Sequence, residues 1–301
     1  MPITVSEEVR EAVAAGAPAV ALESTIFTHG LPRPRNLEVA RAAEQQLRDA
    51  GVVPATIGVV DGTPTVGLTD AQIERLAGGD DAVKVSTRDL PIAAARKHNG
   101  GTTVAATSFL AHRAGIKVFA TGGLGGVHHG ASTTFDESAD LVALAHTPVL
   151  VVSAGVKSIL DIQATLERME TLNIPVVGYR TTSYPGFYVA DSGHRVEYSV
   201  DGPAEAADLV TARDALGLDA AVLVANPVPA DDQLDPAWHQ QLVAEAWQAA
   251  EREQVVGHDI TPFLLDHIQR ATAGASLDVN VAVYRNNVAV GGAIAAALRA
   301  G

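Results

Sequence analysis

The chain has no cysteine among its 301 residues. That absence excludes a disulfide framework, a thiolate zinc site, an iron–sulfur cluster and a thiol nucleophile. Basic residues are outnumbered, 21 Lys and Arg against 35 Asp and Glu, for a formal net charge of −14. A balance of that sign argues against duplex nucleic acid or an anionic membrane as the main partner. No basic stretch precedes an apolar run at the start; Glu7, Glu8 and Glu11 stand there instead. The best membrane candidate, Val288–Leu298, has 11 residues and falls short of the roughly 20 that a bilayer requires. A soluble, cytoplasmic protein is expected. Linkers rich in Ser, Gly or Pro, internal repeats and low-complexity tracts are also missing, so residues 1–301 are expected to form one catalytic domain.

What is present is an apolar fraction of 47% with 19% charged residues, the composition of a packed globular chain. Short apolar runs alternate with longer amphipathic stretches. The runs Ala19–Leu22, Thr56–Val60, Val83–Val85, Val118–Ala120, Val149–Val152, Val176–Gly178 and Ala220–Val224 read as buried strands. Leu37–Ala50 places Val39, Ala43 and Leu47 on one helical face, and Ser158–Leu172 gathers Ile159, Ile162, Leu166 and Met169. Thr69 and Gln72 have capping-box spacing, and Asp235 followed by Pro236 opens another helix. The pattern predicts a three-layer α/β/α sandwich around a largely parallel mixed sheet. Aromatics make up only 4% of the chain, yet Tyr184, Phe187 and Tyr188 cluster within Tyr179–Ser199. That segment reads either as a long surface loop or hairpin, or as a cover for an active site.

Four places carry chemistry, each expected at a strand end, where ligands of open α/β sheets bind. Glu23 follows the first strand; a partly desolvated carboxyl suits general acid work, while a helix cap or structural ion pair is the alternative. Lys84 interrupts a short apolar strand and either enters a site or snorkels at an edge. The run Thr121-Gly122-Gly123-Leu124-Gly125-Gly126-Val127-His128-His129-Gly130 lets backbone N–H groups approach a phosphate but matches no nucleotide-binding fingerprint. Asp136 and Asp140, four apart, are expected on one helix face, either as acids favoured at a helix start or as part of a hard-cation site. His128 and His129 are adjacent and point apart, which disfavours a histidine zinc site. Lys157 is expected in the first turn of a helix just past a strand. There it is either an exposed lysine or a nucleophile that forms a Schiff base, crevice burial and the helix start both favouring the free amine.

Together, Ala21-Leu22-Glu23-Ser24-Thr25-Ile26 with Thr28-His29-Gly30, Val53-Pro54-Ala55-Thr56-Ile57, Lys84-Val85-Ser86 with Arg88-Asp89-Leu90-Pro91, and Gly101-Thr102-Thr103-Val104-Ala105 are similar to a known family. Further matches are Phe119–Val127, Ala154-Gly155 with Lys157-Ser158-Ile159-Leu160-Asp161, Val224-Ala225-Asn226-Pro227 and Thr261-Pro262-Phe263-Leu264-Leu265. In this the chain resembles the pseudouridine-5′-phosphate glycosidases, a family that includes indigoidine synthase A-like proteins, from about residue 17 onward.

The resemblance implies reversible cleavage of the carbon–carbon glycosidic bond of pseudouridine 5′-phosphate to uracil and ribose 5-phosphate. It implies Lys157 as the nucleophile forming an imine at C1′ of the opened ribose, Glu23 as proton donor, and Asp136 holding one Mn2+ per subunit largely through water. Lys84, Val104 and the segment Ser138, Ala139 and Asp140 match substrate-binding positions, with Thr121, His128 and Asn280 expected near the phosphate. It also implies a homotrimer; the small-residue segment Val288–Ala297 would pack between protomers or inside one subunit. His129 stands where the family often has Arg, and Val156 where Ala is common. Two other readings remain: a related Schiff-base C-ribosyl lyase or condensing enzyme using another nucleophile, and a non-catalytic phosphosugar-binding subunit.

Overall fold

In the computed structural model, which describes residues 3–255 and 260–299, apolar strands alternate with helices along the whole chain. The first part runs β1 (Thr4–Val5), α1 (Glu7–Ala14), β2 (Ala19–Leu22), α2 (Arg35–Asp49), β3 (Val53–Val60), β4 (Thr63–Val66) and α3 (Asp70–Gly78). It continues through β5 (Val83–Val85), α4 (Leu90–Arg96), β6 (Gly100–Thr102), α5 (Val104–Arg113), β7 (Val118–Ala120), α6 (Ala131–Thr134), α7 (Ala139–Ala145) and β8 (Leu150–Ser153). Then follow α8 (Ile162–Thr171), β9 (Val176–Tyr179), β10 (Tyr198–Val200), α9 (Pro203–Leu216), β11 (Val222–Ala225), α10 (Pro236–Arg252), α11 (Ile260–Ala271) and α12 (Ala275–Arg299).

The strands join in the order β1-β4-β3-β2-β7-β8-β11-β9-β10, with β6 branching from β3 and β5 pairing β6. Pairings from β3 through β2 to β10 are parallel, whereas β4 and β6 lie antiparallel to β3. Helices cover both faces, which is why the strands are apolar throughout rather than alternating. Successive side chains still point to opposite sides. Val20 and Leu22, Val118 and Ala120, Leu150 and Val152, and Val222 and Val224 enter a core with Leu47, Ile73, Val210, Val288 and Ile294. Ala21, Phe119, Val151 and Leu223 enter the other, with Val9, Leu110, Leu141, Met169, Leu242 and Leu264. This is the expected single-domain three-layer α/β/α sandwich.

Local signals behave as the sequence indicates at two helix starts. Thr69 and Gln72 form a reciprocal capping box at 2.9 and 3.3 Å, and Asp235 caps α10 by accepting from the Trp238 N–H at 2.8 Å. Elsewhere the structure differs. Helix α8 starts at Ile162, capped by Asp161, four residues later than the periodicity suggests, because residues 157–160 form a turn closed by Leu160 N–H on the Lys157 carbonyl and Asp161 N–H is taken by the Val127 carbonyl. Helix α12 is longer than the expected apolar segment. Its 24-residue span Ala275–Leu298 holds an 18-residue window of mean hydropathy 1.2 and is, by length and composition, long and apolar enough to cross a bilayer. The sheet takes that face instead: Val283, Tyr284, Val288 and Ile294 are buried in the core. At Gly291 a Cβ would sit 3.0 Å from Ala120 Cβ, so glycine is what lets α12 approach β7. Within Val288–Ala297 one face is therefore buried on the sheet, while Ala289, Ala293 and Ala296 stay exposed on the other.

Candidate active site

Because β2, β7, β8, β11 and β9 are parallel, their C-terminal ends open on one edge, and the residues that follow them meet there. Glu23 follows β2 and is 7% exposed. Its carboxyl accepts hydrogen bonds from the Thr25 hydroxyl on one oxygen and the Thr121 hydroxyl on the other. Ser24 ties this turn to its neighbours, donating to the Ile57 carbonyl at 2.6 Å and accepting from the Thr102 N–H at 2.8 Å. Burial pushes the Glu23 pKa above the ordinary glutamate value; the positive charge of Lys157 and the two threonine hydroxyls pull it back only in part. A carboxyl in that state keeps its proton at a pH where an exposed glutamate has lost it.

The glycine-rich run leaves β7 and stays paired with the segment that leaves β8. Thr121 N–H donates to Val152 O at 3.0 Å, Ala154 N–H to Gly122 O at 2.9 Å, Leu124 N–H to Gly155 O at 3.0 Å, and Lys157 N–H to Leu124 O at 3.0 Å. Lys157 is therefore carried on an extension of the sheet. It is not in the first turn of a helix, since α8 begins at Ile162; the field of a helix start does not act on its amine. Its charge nevertheless reaches Glu23, Lys84 and His128.

Lys84 comes from the middle of β5, off the main run of the sheet and opposite Gly101 of β6; it does not come from a strand end. Solvent reaches it, as for a residue at the rim of a crevice. Partial burial and then Lys157 push its ammonium pKa down, while Asp140 and Glu23 oppose them. Asp140 is buried and accepts the Ala105 N–H and the Gly125 N–H, each at 2.9 Å. One carboxylate thereby joins the start of α5, where Val104 lies, to the glycine-rich run. Ser138 caps α7, accepting from the Asp140 N–H at 3.2 Å, and Ala139 is the exposed first residue of that helix. The expected shared helix face of Asp136 and Asp140 is absent: Asp136 precedes α7, which starts only at Ala139.

His128 lies near Asp136, Lys157 and Lys84, and burial holds its ring pKa below the ordinary value. Its Nδ1 is buried with no hydrogen-bond partner, a position that a polar ligand would complete. His129 turns away, edge-on to Trp247 with ring centroids 5.2 Å apart and Nδ1 3.9 Å from Asp161. Among the described residues no group of three or more His, Asp or Glu side chains could hold a metal ion. A divalent ion here would rest on Asp136 and fill its other positions with water or substrate oxygen, a mode suited to hard, oxygen-seeking cations.

The aromatic segment folds as a hairpin, closed by Tyr184 N–H on the His194 carbonyl at 2.8 Å and Val196 N–H on the Thr182 carbonyl at 2.9 Å; its aromatic turn is buried and much of its second half is exposed. Between β9 and β10, Tyr184, Phe187 and Tyr188 are buried at 1%, 4% and 4% exposure. The Phe187 ring packs so closely on Gly123 that a Cβ there would lie 2.6 Å from it. Asn280 of α12 reaches the same place, its Oδ1 being 3.5 Å from where a Gly122 Cβ would be. The buried turn of the segment, at residues 184–189, is a wall against the glycine-rich run.

Several contributors escape a reading based on motifs. Thr25 is the second donor to Glu23. Asn287 of α12 donates to the Thr121 and Gly122 carbonyls at 2.8 and 3.2 Å and accepts from Asn226 Nδ2 at 2.9 Å. The available signal is a polar residue on an apolar stripe, since Val283, Tyr284, Asn287 and Val288 share one helical face.

The family model described as "Indigoidine synthase A like protein" matches residues 8–297. A pseudouridine-5′-phosphate glycosidase of Saccharopolyspora erythraea is 70% identical over 301 residues, 99% of each chain. A protein of the same name from Glaesserella parasuis is 48% identical over 97% of each chain. Among solved structures, the prealnumycin C-glycosynthase AlnA in complex with ribulose 5-phosphate is similar with a TM-score of 0.92 and 38% identity, covering 99% of this chain and 97% of that one. An indigoidine synthase A-like protein from Thermotoga maritima superimposes with a TM-score of 0.87 at 36% identity, with 99% and 97% covered.

Proposed function

Because the chain belongs to the indigoidine synthase A-like family, we propose that it cleaves the carbon–carbon glycosidic bond of pseudouridine 5′-phosphate, reversibly, to uracil and ribose 5-phosphate. The observation that carries this reading is a buried, proton-retaining Glu23 within electrostatic reach of Lys157 on one sheet edge. Glycosidases that cut carbon–oxygen bonds use two carboxylates. A carbon leaving group calls for an electron sink, and a lysine imine provides one.

Glu23 gives its proton to the ribose ring oxygen as the bond from that oxygen to C1′ breaks. The Lys157 nitrogen bonds to C1′ and sheds a proton. The bond from C1′ to C5 of uracil then breaks; the nitrogen lone pair forms the C=N bond, and C5 takes a proton. Water hydrolyses the imine, which restores the amine and releases ribose 5-phosphate. Lys84, His128 and the backbone N–H groups of the glycine-rich run supply donors and charge for the phosphate dianion. Val104, Ser138, Ala139, Asp140 and Asn280 line the substrate. Asp136 would hold a Mn2+ ion largely through water, and the ion would offset negative charge between substrate and carboxylates. The same reading takes the enzyme to be a homotrimer in the cytoplasm.

Uracil release from pseudouridine 5′-phosphate, measured with and without Mn2+, tests the activity. Borohydride trapping with ribose 5-phosphate, followed by peptide mapping, tests the mechanism: an adduct on Lys157 is expected, and an adduct elsewhere refutes it. A second reading, a C-ribosyl condensing enzyme with another carbon nucleophile, is favoured by the likeness to the C-glycosynthase. It gains if ribose 5-phosphate is trapped on Lys157 while uracil gives no product.

A further inference from the structure

The Asn287 amide is completely buried, at 0% exposure, on a helix whose neighbouring core positions are Val283, Tyr284 and Val288. Burying an amide is costly unless its polar atoms are paired. Here they are: Nδ2 donates to Thr121 O at 2.8 Å and Gly122 O at 3.2 Å, and Oδ1 accepts from Asn226 at 2.9 Å. Asn226, 3% exposed, is itself fixed by its N–H on Ser153 O at 2.8 Å. Thr121 is thereby pinned on both sides, by its N–H on Val152 O and by its carbonyl on Asn287, and its hydroxyl is the one that donates to Glu23. Gly122 O, the second acceptor, also takes the Ala154 N–H, three residues before Lys157. A single amide therefore touches the ends of β7 and β11 and a carbonyl shared with the segment leading to Lys157.

We propose that Asn287, held in place by Asn226, is a positioning residue for this reaction: it fixes Thr121 and thereby aims the Glu23 carboxyl at the ribose ring oxygen. The inference rests on the function given above. A pair needed only for packing would be served by any groups that satisfy two carbonyls. A chain of contacts that ends on the general acid predicts an effect on the acid step itself. If Asn287 goes, Thr121 loses its anchor, and the hydroxyl that donates to Glu23 is no longer held in line. Loss of a donor to the charged form raises a carboxyl pKa.

The test compares uracil release by wild-type enzyme, Asn287→Ala and Asn226→Ala across the pH range, with thermal melts for each. In Asn287→Ala, kcat should fall by on the order of 10²-fold with KM little changed, and the alkaline limb of the kcat profile should move to higher pH. Borohydride trapping of ribose 5-phosphate on Lys157 should persist, because that aldehyde opens without help from Glu23. A folded Asn287→Ala enzyme with wild-type kcat, or one that loses kcat with no movement of the alkaline limb, overturns the inference. If Asn287→Ala does not fold, Asn226→Ala carries the decision, with a smaller loss and a shift in the same direction expected; an unchanged profile overturns it. Wild-type enzyme that releases no uracil refutes the function first and takes this inference with it.

Discussion

The two ends of the parallel strands are chemically unlike. At the N-terminal ends of β2 and β7 lies a cavity of 240 Å3 lined by Val13, Pro18, Ala19, Ile116, Val118 and Ala295 among others. The cation on its lining, Lys117, is spent on Asp214 at 2.8 Å. At the C-terminal ends stand Glu23, Lys84, Asp140 and Lys157, interacting with one another. Strand direction separates these places. Parallel strands and the helices that follow them bring backbone N–H groups and side chains to one edge, so that edge suits an anionic ligand.

That contrast can be broken most severely at Lys157. Lys157→Ala should reduce uracil release to background and abolish borohydride trapping. Next is Glu23→Gln, for which a loss of about 10²–10⁴-fold in kcat is expected, the range of general acid catalysis. The same substitution has a stability signature. Burial raises the Glu23 pKa above 4.5, so the folded chain holds that proton more tightly than the unfolded chain. The stabilisation is fully present below the unfolded value and is lost as pH rises through the folded value. Glu23→Gln should therefore have a higher Tm than wild type at alkaline pH, with the difference vanishing in acid; equal melts at both would contradict a buried, proton-holding carboxyl.

Asp140 sharpens the comparison by role. It accepts two backbone N–H groups, so Asp140→Asn, which turns a donor toward one of them, should cost about 1.5–3 kcal/mol in denaturant unfolding. Smallest is Lys117→Ala at the opposite end. An exposed ion pair is worth about 0–1 kcal/mol, and uracil release should stay at the wild-type rate. A clear loss of turnover there would mean that the lower cavity takes part.

How much of this was legible in sequence depends on the range of the signal. Apolar runs without alternation mark strands covered on both faces, and β2, β5 and β7 match their expected bounds. Strands β4 and β6 escape notice because Thr63-Pro64-Thr65-Val66 and Gly100-Gly101-Thr102 carry little apolar character; pairing with β3 makes them strands. The late start of α8 escapes for a similar reason. Ile159 is apolar at helical spacing, yet the Lys157–Leu160 turn and the pairing of Lys157 with Leu124 hold that segment to the sheet extension.

The sequence by itself determined the chemical inventory and the layer architecture: no thiol, a lysine and a carboxylate beside strands, a glycine-rich run, and apolar segments needing cover on two sides. Composition and periodicity are local properties, and local reading suffices for them. Only the tertiary structure decided that Glu23 holds its proton tightly and that Asp140 clamps two segments together. Glu23 and Asp140 are both buried carboxyls near lysines, but Glu23 meets two hydroxyls and Asp140 two backbone N–H groups. Desolvation and hydrogen bonding set those roles, and both come from residues distant in the chain. The same holds for Asn287, a polar residue on an apolar helical stripe until the fold brings it to Thr121.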